Sequence, residues 1–177
     1  MIKIAITGPE SSGKSTLASW LHNALPQSVL VHEFARSFLE EKEKHYSYIR
    51  EDLIEINRGH FLQLREAEKM DFFEALITDT DFYVMDIWWN EIYGDHHEEI
   101  YNIRKLYHFD LYLLCEPDLP WVFDPLRENP ADRYRLFERY KEALTEDKRK
   151  YEIIRGEGEV RNEQALAAVR KHFPSLQ

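Results

Sequence analysis

The 177-residue chain has the length of one globular domain, and its composition, 44% hydrophobic and 32% charged residues, excludes collagen-like, low-complexity and disordered proteins. A formal net charge of −10 repels phosphodiester backbones, so we expect no nucleic-acid partner. The one cysteine, Cys115, lies among leucines and is expected in the core, and no apolar run approaches the ~18 residues of a membrane span. We therefore expect a cytoplasmic protein without a membrane partner.

Segments of strand length alternate with longer amphipathic segments along the chain. We predict strands at Ile2–Ile6, Ser28–His32, Ala75–Thr78, Asp110–Cys115 and Tyr151–Ile154. Helical spacing of apolar residues predicts helices at Ser15–Leu25, Asp52–Phe73, Ala131–Lys148 and Asn162–Phe173. Such alternation requires crossover connections, so residues 1–177 are predicted to form one three-layer α/β domain with a five-stranded parallel sheet. In such domains ligands bind at the carboxyl ends of the strands.

The first predicted strand leads into a phosphate-binding loop, or P-loop. Residues Gly8–Thr16 read Gly-Pro-Glu-Ser-Ser-Gly-Lys-Ser-Thr, which satisfies the P-loop pattern and precedes a predicted helix. Glycines let backbone N–H groups surround phosphate oxygens, Lys14 reaches the outer phosphates as a catalytic group, and Ser15 binds Mg²⁺. The predicted ATP-binding residues of this segment are Gly8, Glu10, Ser11, Ser12, Gly13, Lys14, Ser15 and Thr16.

Two charged residues follow the second strand, where the phosphate acceptor is expected. Glu33 and Arg36 are three residues apart, which places them one helical turn from each other. A carboxylate there can deprotonate a substrate hydroxyl, and an arginine can steer the substrate or the transferring phosphoryl group. We predict Glu33 as the catalytic base and both residues as substrate-binding. The alternative is a surface ion pair, which contributes little.

An acidic segment follows the third strand. Thr78 and Asp79 follow the apolar run Ala75–Ile77, which resembles the acidic strand end that positions Mg²⁺ in P-loop enzymes, so we predict Asp79 and Ser15 as the metal-binding residues. Asp81 is predicted to bind a polyol such as a ribose. Asp81 can also be the N-cap of a helix that starts near Phe82, and the two roles are compatible.

The segment from residue 116 to residue 135 is predicted to be a lid. It contains four prolines before Asp132, and arginines in such a loop can stabilise transition-state charge over the phosphates. Arg127 is the first catalytic and ATP-binding candidate, ahead of Arg133 and Arg135; the alternative is that these arginines pair with neighbouring carboxylates. We predict Trp121 as a substrate contact or a packing residue, and Trp88 and Trp89 as packing residues.

A second glycine-rich turn follows the fifth strand. Gly156 and Gly158 lie where nucleotide kinases hold adenine, so we predict both as ATP-binding. With the P-loop, this turn holds four of the six glycines in the chain, which concentrates backbone freedom at the two expected nucleotide loops. A Gly-x-Gly sequence is by itself more often just a turn.

Over nearly its whole length, the chain resembles the ribosylnicotinamide kinase domain of the bacterial NadR family. The resemblance rests on four segments. The P-loop is generic to P-loop proteins, and the Glu33–Arg36 pair also matches the family. Thr78–Phe82 and Trp121–Arg127, in this order and spacing, are more particular to the family. The resemblance implies a nucleoside-monophosphate-kinase-like fold that transfers the γ-phosphoryl group of ATP to the 5′-hydroxyl of nicotinamide riboside, giving nicotinamide mononucleotide.

The resemblance also implies roles for individual residues. Lys14, Ser15 and Asp79 would hold MgATP, Glu33 and Asp81 would face the riboside, and Arg127 would close over the phosphates. Proteins of the NadR family carry a DNA-binding domain and an adenylyltransferase domain ahead of the kinase. Because this chain starts at the kinase's first strand, we expect it neither to bind operator DNA nor to complete NAD synthesis.

Two alternatives share the P-loop. A kinase for another nucleoside, nucleotide or small alcohol would differ only around Glu33, Asp81 and the lid. A nucleotide-dependent switch or an ATPase without small-molecule transfer would need no acceptor site, but guanine-reading switches usually carry an Asn-Lys-x-Asp segment where this chain has Glu116-Pro117-Asp118. The sequence gives no oligomeric state and no preference between ATP and GTP.

Overall fold

The computed structural model describes residues 1–42, 46–122 and 131–176. Within these ranges the strands are β1 (Ile2–Thr7), β2 (Ser28–Val31), β3 (Ala75–Asp79), β4 (Leu111–Cys115) and β5 (Tyr151–Ile154). The helices are α1 (Lys14–Ala24), α2 (Phe34–Glu40), α3 (Arg50–Ala67), α4 (Phe82–Tyr93), α5 (Glu98–Leu106), α6 (Arg133–Glu146) and α7 (Gly158–His172). No helix in the described ranges is both long enough and apolar enough to cross a lipid bilayer.

The five strands form one sheet in the order β2-β3-β1-β4-β5, and every neighbouring pair is parallel. This confirms the predicted parallel sheet, with strand ends within one residue of those expected. Because all strands run in the same direction, the segments that follow β1, β2 and β3 start from one edge of the sheet. The P-loop, Glu33 and Asp79 all belong to that edge.

Helices cover both faces of the sheet. Along β1, Ile4 and Ile6 pack with α1 and α7 on one face, whereas Ala5 packs with α3, α4 and α6 on the other. The same alternation runs along β4, where Cys115 belongs to the first face and is fully buried, as predicted for a core residue. Strands buried on both faces read as continuous apolar runs, which is why they could be located from the sequence.

A third apolar cluster holds α2 against α3 and α4. Its buried members include Ala35 on α2, Ile56 on α3 and Met85 on α4. Gly59 on α3 is needed here because a Cβ atom at that position would overlap the Phe34 ring at the start of α2. This close approach fixes the beginning of α2, and with it Glu33, beside the edge of the sheet.

Several predicted helix boundaries were wrong. The helix predicted to end at Phe73 ends at Ala67, because the chain turns at residues 68–74 and Glu74 N–H already pairs with the carbonyl of Gln27, 2.8 Å away, beside β2. Helix α6 begins at Arg133, not Ala131, and α7 begins at Gly158, not Asn162. Helices α2 and α5 were not among the predicted helices, and α4 was expected only as a helix that starts near Phe82.

Candidate active site

The P-loop connects β1 to α1 and requires unusual backbone conformations. Gly8 has φ of 132° and Gly13 has φ of 78°. A Cβ atom on Gly8 would lie 2.7 Å from the carbonyl oxygen of Cys115 on β4, so only glycine fits this close approach. The Ser12 hydroxyl donates to the carbonyl of Pro9 at 2.7 Å and closes the loop. The tight turn leads directly into the first turn of α1.

Lys14 is the first residue of α1 and its side chain folds back over the loop. Its Nζ atom donates to the carbonyl oxygens of Gly8 and Pro9, both at 2.9 Å. Ser15 and Thr16 follow in the first turn of α1 and are exposed. A helix N-terminus with an ammonium group and two exposed hydroxyls is suited to bind phosphate oxygens.

Asp79 ends β3 next to the strand that feeds the P-loop. Its register partner is Ile6 on β1, and Asp79 is only 4% exposed. The Oδ1 atom of Asp79 is buried and has no hydrogen-bond partner among the described residues. Buried carboxylate oxygens normally have a partner, and oxygen ligands are what Mg²⁺ prefers. Asp79, with exposed Ser15, therefore fits the metal role predicted from the sequence.

Asp81 is the N-cap of α4. Its Oδ1 atom accepts hydrogen bonds from the Thr7 hydroxyl at 3.0 Å and from the backbone N–H groups of Tyr83 and Val84 at 3.0 and 3.2 Å. Burial raises the pKa of Asp81 to about 6, against the opposing effect of these hydrogen bonds and of the Lys14 charge. The N-cap role is confirmed. Asp81 does not line the cleft described next, and its contact with a substrate stays a prediction.

One cleft runs from the P-loop to the walls formed by α2, α4 and α6. Glu33 and Arg36 both line it, so the structure places the two predicted acceptor residues in the same cavity as the P-loop. Arg36 also lies 3.5 Å from Glu40 on the exposed side of α2. The remaining residues that line the cleft beyond the P-loop are Ala35, Leu39, Val84, Ile87, Trp88, Glu91, Leu136 and Tyr140.

The wall from α4 was missed by sequence reasoning. Val84, Ile87, Trp88 and Glu91 follow the i, i+3, i+4, i+7 spacing of one helical face, and that face lines the cleft. Trp88 was expected only to pack; it also donates from Nε1 to the Tyr48 hydroxyl at 3.1 Å, which holds the ring in place. The helical spacing was visible in the sequence, but the packing that turns this face toward the P-loop was not.

Acidic side chains set the electrostatics of the cleft. Burial raises the pKa of Tyr140, and the negative charges of Asp81, Glu10 and Glu33 raise it further. Carboxylates on the P-loop side and on the acceptor side therefore act on the same aromatic side chain. The end of the cleft away from the P-loop combines the aromatic surface of Trp88 and Tyr140 with the Glu33 carboxylate and the Arg36 guanidinium.

The segment after β4 lies against the P-loop. Arg133 donates to the carbonyls of Leu119 at 2.9 Å and Ser11 at 3.3 Å, and its guanidinium lies over the Trp121 ring at 5.7 Å. Trp121 thus has a packing role, and its contact with substrate stays a prediction. Arg135 instead pairs with Glu91 at 2.5 Å. Arg127 lies outside the described residues, so its catalytic role also stays a prediction.

Arg161 joins the P-loop to the turn after β5 and was missed by sequence reasoning. This residue of α7 is 3% exposed and donates to the carbonyls of Ser12 at 2.9 Å, Glu116 at 2.9 Å and Gly156 at 2.7 Å, and to the Asp118 carboxylate. The P-loop and the turn after β5 are thereby held together, although adenine binding by Gly156 and Gly158 stays a prediction. An arginine in the buried i, i+4, i+7, i+8 stripe of α7 was the signal available in the sequence.

Comparisons with known proteins agree with this architecture. The chain is 34% identical over 130 residues to the trifunctional NAD biosynthesis/regulator protein NadR of Salmonella typhimurium, covering 70% of this chain and 30% of that protein. It is 32% identical over 164 residues to the protein of the same name from Escherichia coli, covering 88% of this chain and 38% of that protein. The chain therefore spans about a third of the length of these curated relatives.

Solved structures share the fold. A NadR structure in complex with NR has a TM-score of 0.79 at 20% identity and covers 98% of this chain and 52% of its own. A NadR structure with NAD and AMP-PNP has a TM-score of 0.73 at 19% identity, covering 97% of this chain and 49% of its own. A deoxyadenosine kinase from M. mycoides has a TM-score of 0.67 at 17% identity, covering 96% and 100%.

At this level of identity the structural likeness establishes the fold alone. Together with the parallel sheet and the P-loop, it confirms the predicted α/β fold of P-loop kinases. A family model described as an AAA domain matches residues 3–161, most of the chain, which includes β1 through the first turn of α7. The chain belongs to the AAA_28 family of AAA domains.

Proposed function

We propose that this chain is a phosphotransferase that moves the γ-phosphoryl group of ATP to the 5′-hydroxyl of nicotinamide riboside. The observation that carries the proposal is the single cleft that joins the P-loop to Glu33 and to the aromatic side chains of Trp88 and Tyr140. Similarity to NadR supports it, since one of the similar NadR structures is a complex with NR and another a complex with AMP-PNP.

The P-loop provides the ATP site. Its backbone N–H groups and the N-terminus of α1 would surround the phosphates. The Lys14 ammonium, now hydrogen-bonded to the carbonyls of Gly8 and Pro9, would exchange these acceptors for phosphate oxygens of ATP. Its charge would then stabilise the negative charge that spreads over the transferring group. This is the basis for assigning Lys14 a catalytic role.

Ser15 and Asp79 are the residues that would hold Mg²⁺. The fit rests on the exposed Ser15 hydroxyl and on the buried Asp79 Oδ1 atom that has no protein partner among the described residues. Mg²⁺ bound there supplies charge neutralisation for the outer phosphates of ATP. The carboxylate of Asp79 is held in place by β3, whose neighbour β1 leads into the P-loop.

Glu33 is the proposed general base for the acceptor hydroxyl. It is the N-cap residue of α2 and lines the same cleft as the P-loop. A carboxylate positioned there orients the 5′-hydroxyl and accepts its proton as the oxygen attacks the γ-phosphorus. Arg36, one turn further along α2, lines the cleft as a cation that steers the substrate or the transferring group.

The chemistry of the acceptor end favours nicotinamide riboside over neutral nucleosides. Its base is a flat pyridinium cation, which gains energy from an aromatic face and from nearby carboxylates. Trp88 and Tyr140 provide aromatic surface, and the Glu33 carboxylate lines the same cleft. A nucleoside monophosphate would bring negative charge to the Glu33 carboxylate. We further propose a cytoplasmic location, where ATP is supplied and the buried Cys115 thiol stays reduced.

The proposed base is tested by comparing Glu33→Gln with wild type in a coupled ADP-release assay with MgATP and nicotinamide riboside. We expect kcat to fall by about 10²-fold or more, while the KM for ATP changes little, because the amide cannot accept the proton. Glu41→Gln, at the exposed C-cap of α2, is the matched control and should retain wild-type kcat. An unchanged kcat in Glu33→Gln would assign Glu33 to the ion-pair alternative.

Lys14→Ala tests the ATP site in the same assay. Phosphoryl transfer should fall by at least about 10²-fold, since a group that stabilises transition-state charge is lost. The exposed Lys69, in the turn that follows α3, provides the control variant Lys69→Ala. Retained turnover in Lys14→Ala would remove the P-loop from the mechanism and favour a different phosphate site.

A further inference from the structure

A chain of buried hydrogen bonds lies behind the acidic segment that ends β3. His60 on α3 is 2% exposed, and its Nε2 atom lies 3.3 Å from the hydroxyl of Thr78 on β3. The Thr78 hydroxyl in turn donates to the carbonyl of Thr80 at 2.9 Å. We call this arrangement the His60–Thr78–Thr80 chain. It lies on the α3 face of the sheet, opposite to the face that carries α1.

The hydrogen-bond donors and acceptors of this chain are determined by elimination. A threonine hydroxyl has one proton, and that of Thr78 is donated to the Thr80 carbonyl. Thr78 Oγ1 can therefore only accept from His60, so the Nε2 atom of His60 carries the proton. The neutral imidazole thus acts on the Thr80 carbonyl through the Thr78 hydroxyl.

Thr80 needs such support because its backbone is strained. Its φ of 87° lies in the left-handed region, which a β-branched residue rarely adopts. Its N–H donates to the carbonyl of Ile6 at 3.0 Å, so hydrogen bonds hold both sides of the residue. Thr80 stands between Asp79 and Asp81, and its backbone conformation determines the directions in which the two carboxylates point at the end of β3.

We propose that His60 is a positioning residue, which acts through Thr78 and Thr80 to hold the Asp79 carboxylate where it binds the metal ion of the nucleotide. The inference rests on the proposed function, in which Asp79 is a metal-binding residue. His60 does not line the cleft, so the role proposed for it is indirect. Residues that orient metal-binding groups typically change metal affinity by about 10- to 100-fold when replaced.

The two links of the chain can be broken separately. His60→Phe keeps a flat ring beside Phe82, which now lies 5.7 Å from the His60 centroid, but it removes the N–H donor. Thr78→Val keeps the branched shape and removes the hydroxyl, whereas Thr78→Ser keeps the hydroxyl and is the rescue variant. A role in packing alone would make Thr78→Ser no better than Thr78→Val.

The measurement is Mn²⁺ binding to the ADP complex of the full chain, followed by the electron paramagnetic resonance signal of free Mn²⁺. We expect His60→Phe and Thr78→Val to weaken Mn²⁺ binding by about tenfold, and Thr78→Ser to bind as wild type. ADP affinity without metal should stay within about twofold in every variant. If His60→Phe does not fold, the comparison of Thr78→Val with Thr78→Ser tests the proposal.

Unchanged Mn²⁺ affinity in Thr78→Val and His60→Phe, with only a lower Tm, would overturn the proposal. Wild-type chain that binds ADP without retaining Mn²⁺ would overturn it as well, because Asp79 would then hold no metal. The titration contains no phosphate acceptor, so it is independent of substrate identity. Failure of wild type to phosphorylate nicotinamide riboside would therefore count against the proposed function alone. The Mn²⁺ titration would still test the role of His60.

Discussion

Replacing His60 by glutamine should remove a specific acid sensitivity of the fold. Burial lowers the pKa of His60 to about 4, from 6.5 for an ordinary histidine. The unfolded chain therefore takes up a proton near pH 6.5, whereas the folded chain resists protonation until about pH 4. Wild type loses stability as pH falls through this window, by roughly 2.5 pH units times 1.36 kcal/mol, or about 3 kcal/mol.

The assay is urea denaturation of wild type and His60→Gln at a series of pH values from 7 to 4. Asp81 has the opposite sign, because its raised pKa makes folding more favourable as pH falls from about 6, so the wild-type curve alone mixes both effects. The difference between the two proteins isolates His60. Between pH 7 and pH 4, we expect the free energy of unfolding of wild type to fall by about 3 kcal/mol relative to that of the variant.

The exposed His32 provides the control, since His32→Gln removes a histidine without touching the core. A stability difference between wild type and His60→Gln that is the same at every pH would refute the reasoning. It would mean that His60 is protonated as easily in the folded chain as in the unfolded one, contrary to its burial.

Two further substitutions test the scaffold of the site. Gly8→Ala should lower the free energy of unfolding by about 1–3 kcal/mol more than Gly94→Ala in urea denaturation. The reason is that a Cβ atom at Gly8 would lie within 3 Å of a backbone atom, whereas one at Gly94 would meet nothing. Equal losses in the two variants would contradict the close approach of Gly8 to β4. Arg161→Leu should lower the free energy of unfolding by about 3 kcal/mol and raise the KM for ATP, since four hydrogen-bond acceptors lose their donor. The control Arg170→Leu, at an exposed position of the same helix, should change neither quantity. An unchanged KM for ATP in Arg161→Leu would show that Arg161 does not support the P-loop.

The parts of the site that the sequence could predict are those encoded by adjacent residues. The P-loop is a contiguous pattern, and Glu33, Asp79 and Asp81 each follow a strand that is recognisable as an apolar run. Parallel strands bring their carboxyl ends to one edge, so these separate segments could be assigned to one site in advance. The structure agrees for the P-loop, Glu33 and Arg36, which line one cleft.

The parts that could not be predicted depend on tertiary packing. Trp88 lies on a helix that is apolar on most of its surface, so its sequence did not show which face turns toward the cleft. Arg161 and His60 are polar residues within buried helical stripes, and their partners are distant in sequence. The early end of α3 depends on pairing between Glu74 and Gln27, which no local pattern indicates.

The most direct test of the central claim is a competition among acceptors for the γ-phosphoryl group of ATP. The chain would be incubated with MgATP and an equimolar mixture of nicotinamide riboside, purine and pyrimidine nucleosides, and nucleoside monophosphates, and the products identified by mass spectrometry and ³¹P NMR. We predict that nicotinamide riboside gains one phosphate on its 5′-hydroxyl ahead of every neutral or anionic competitor. Preferential phosphorylation of another compound, or ATP hydrolysis without any phosphorylated product, would contradict the account.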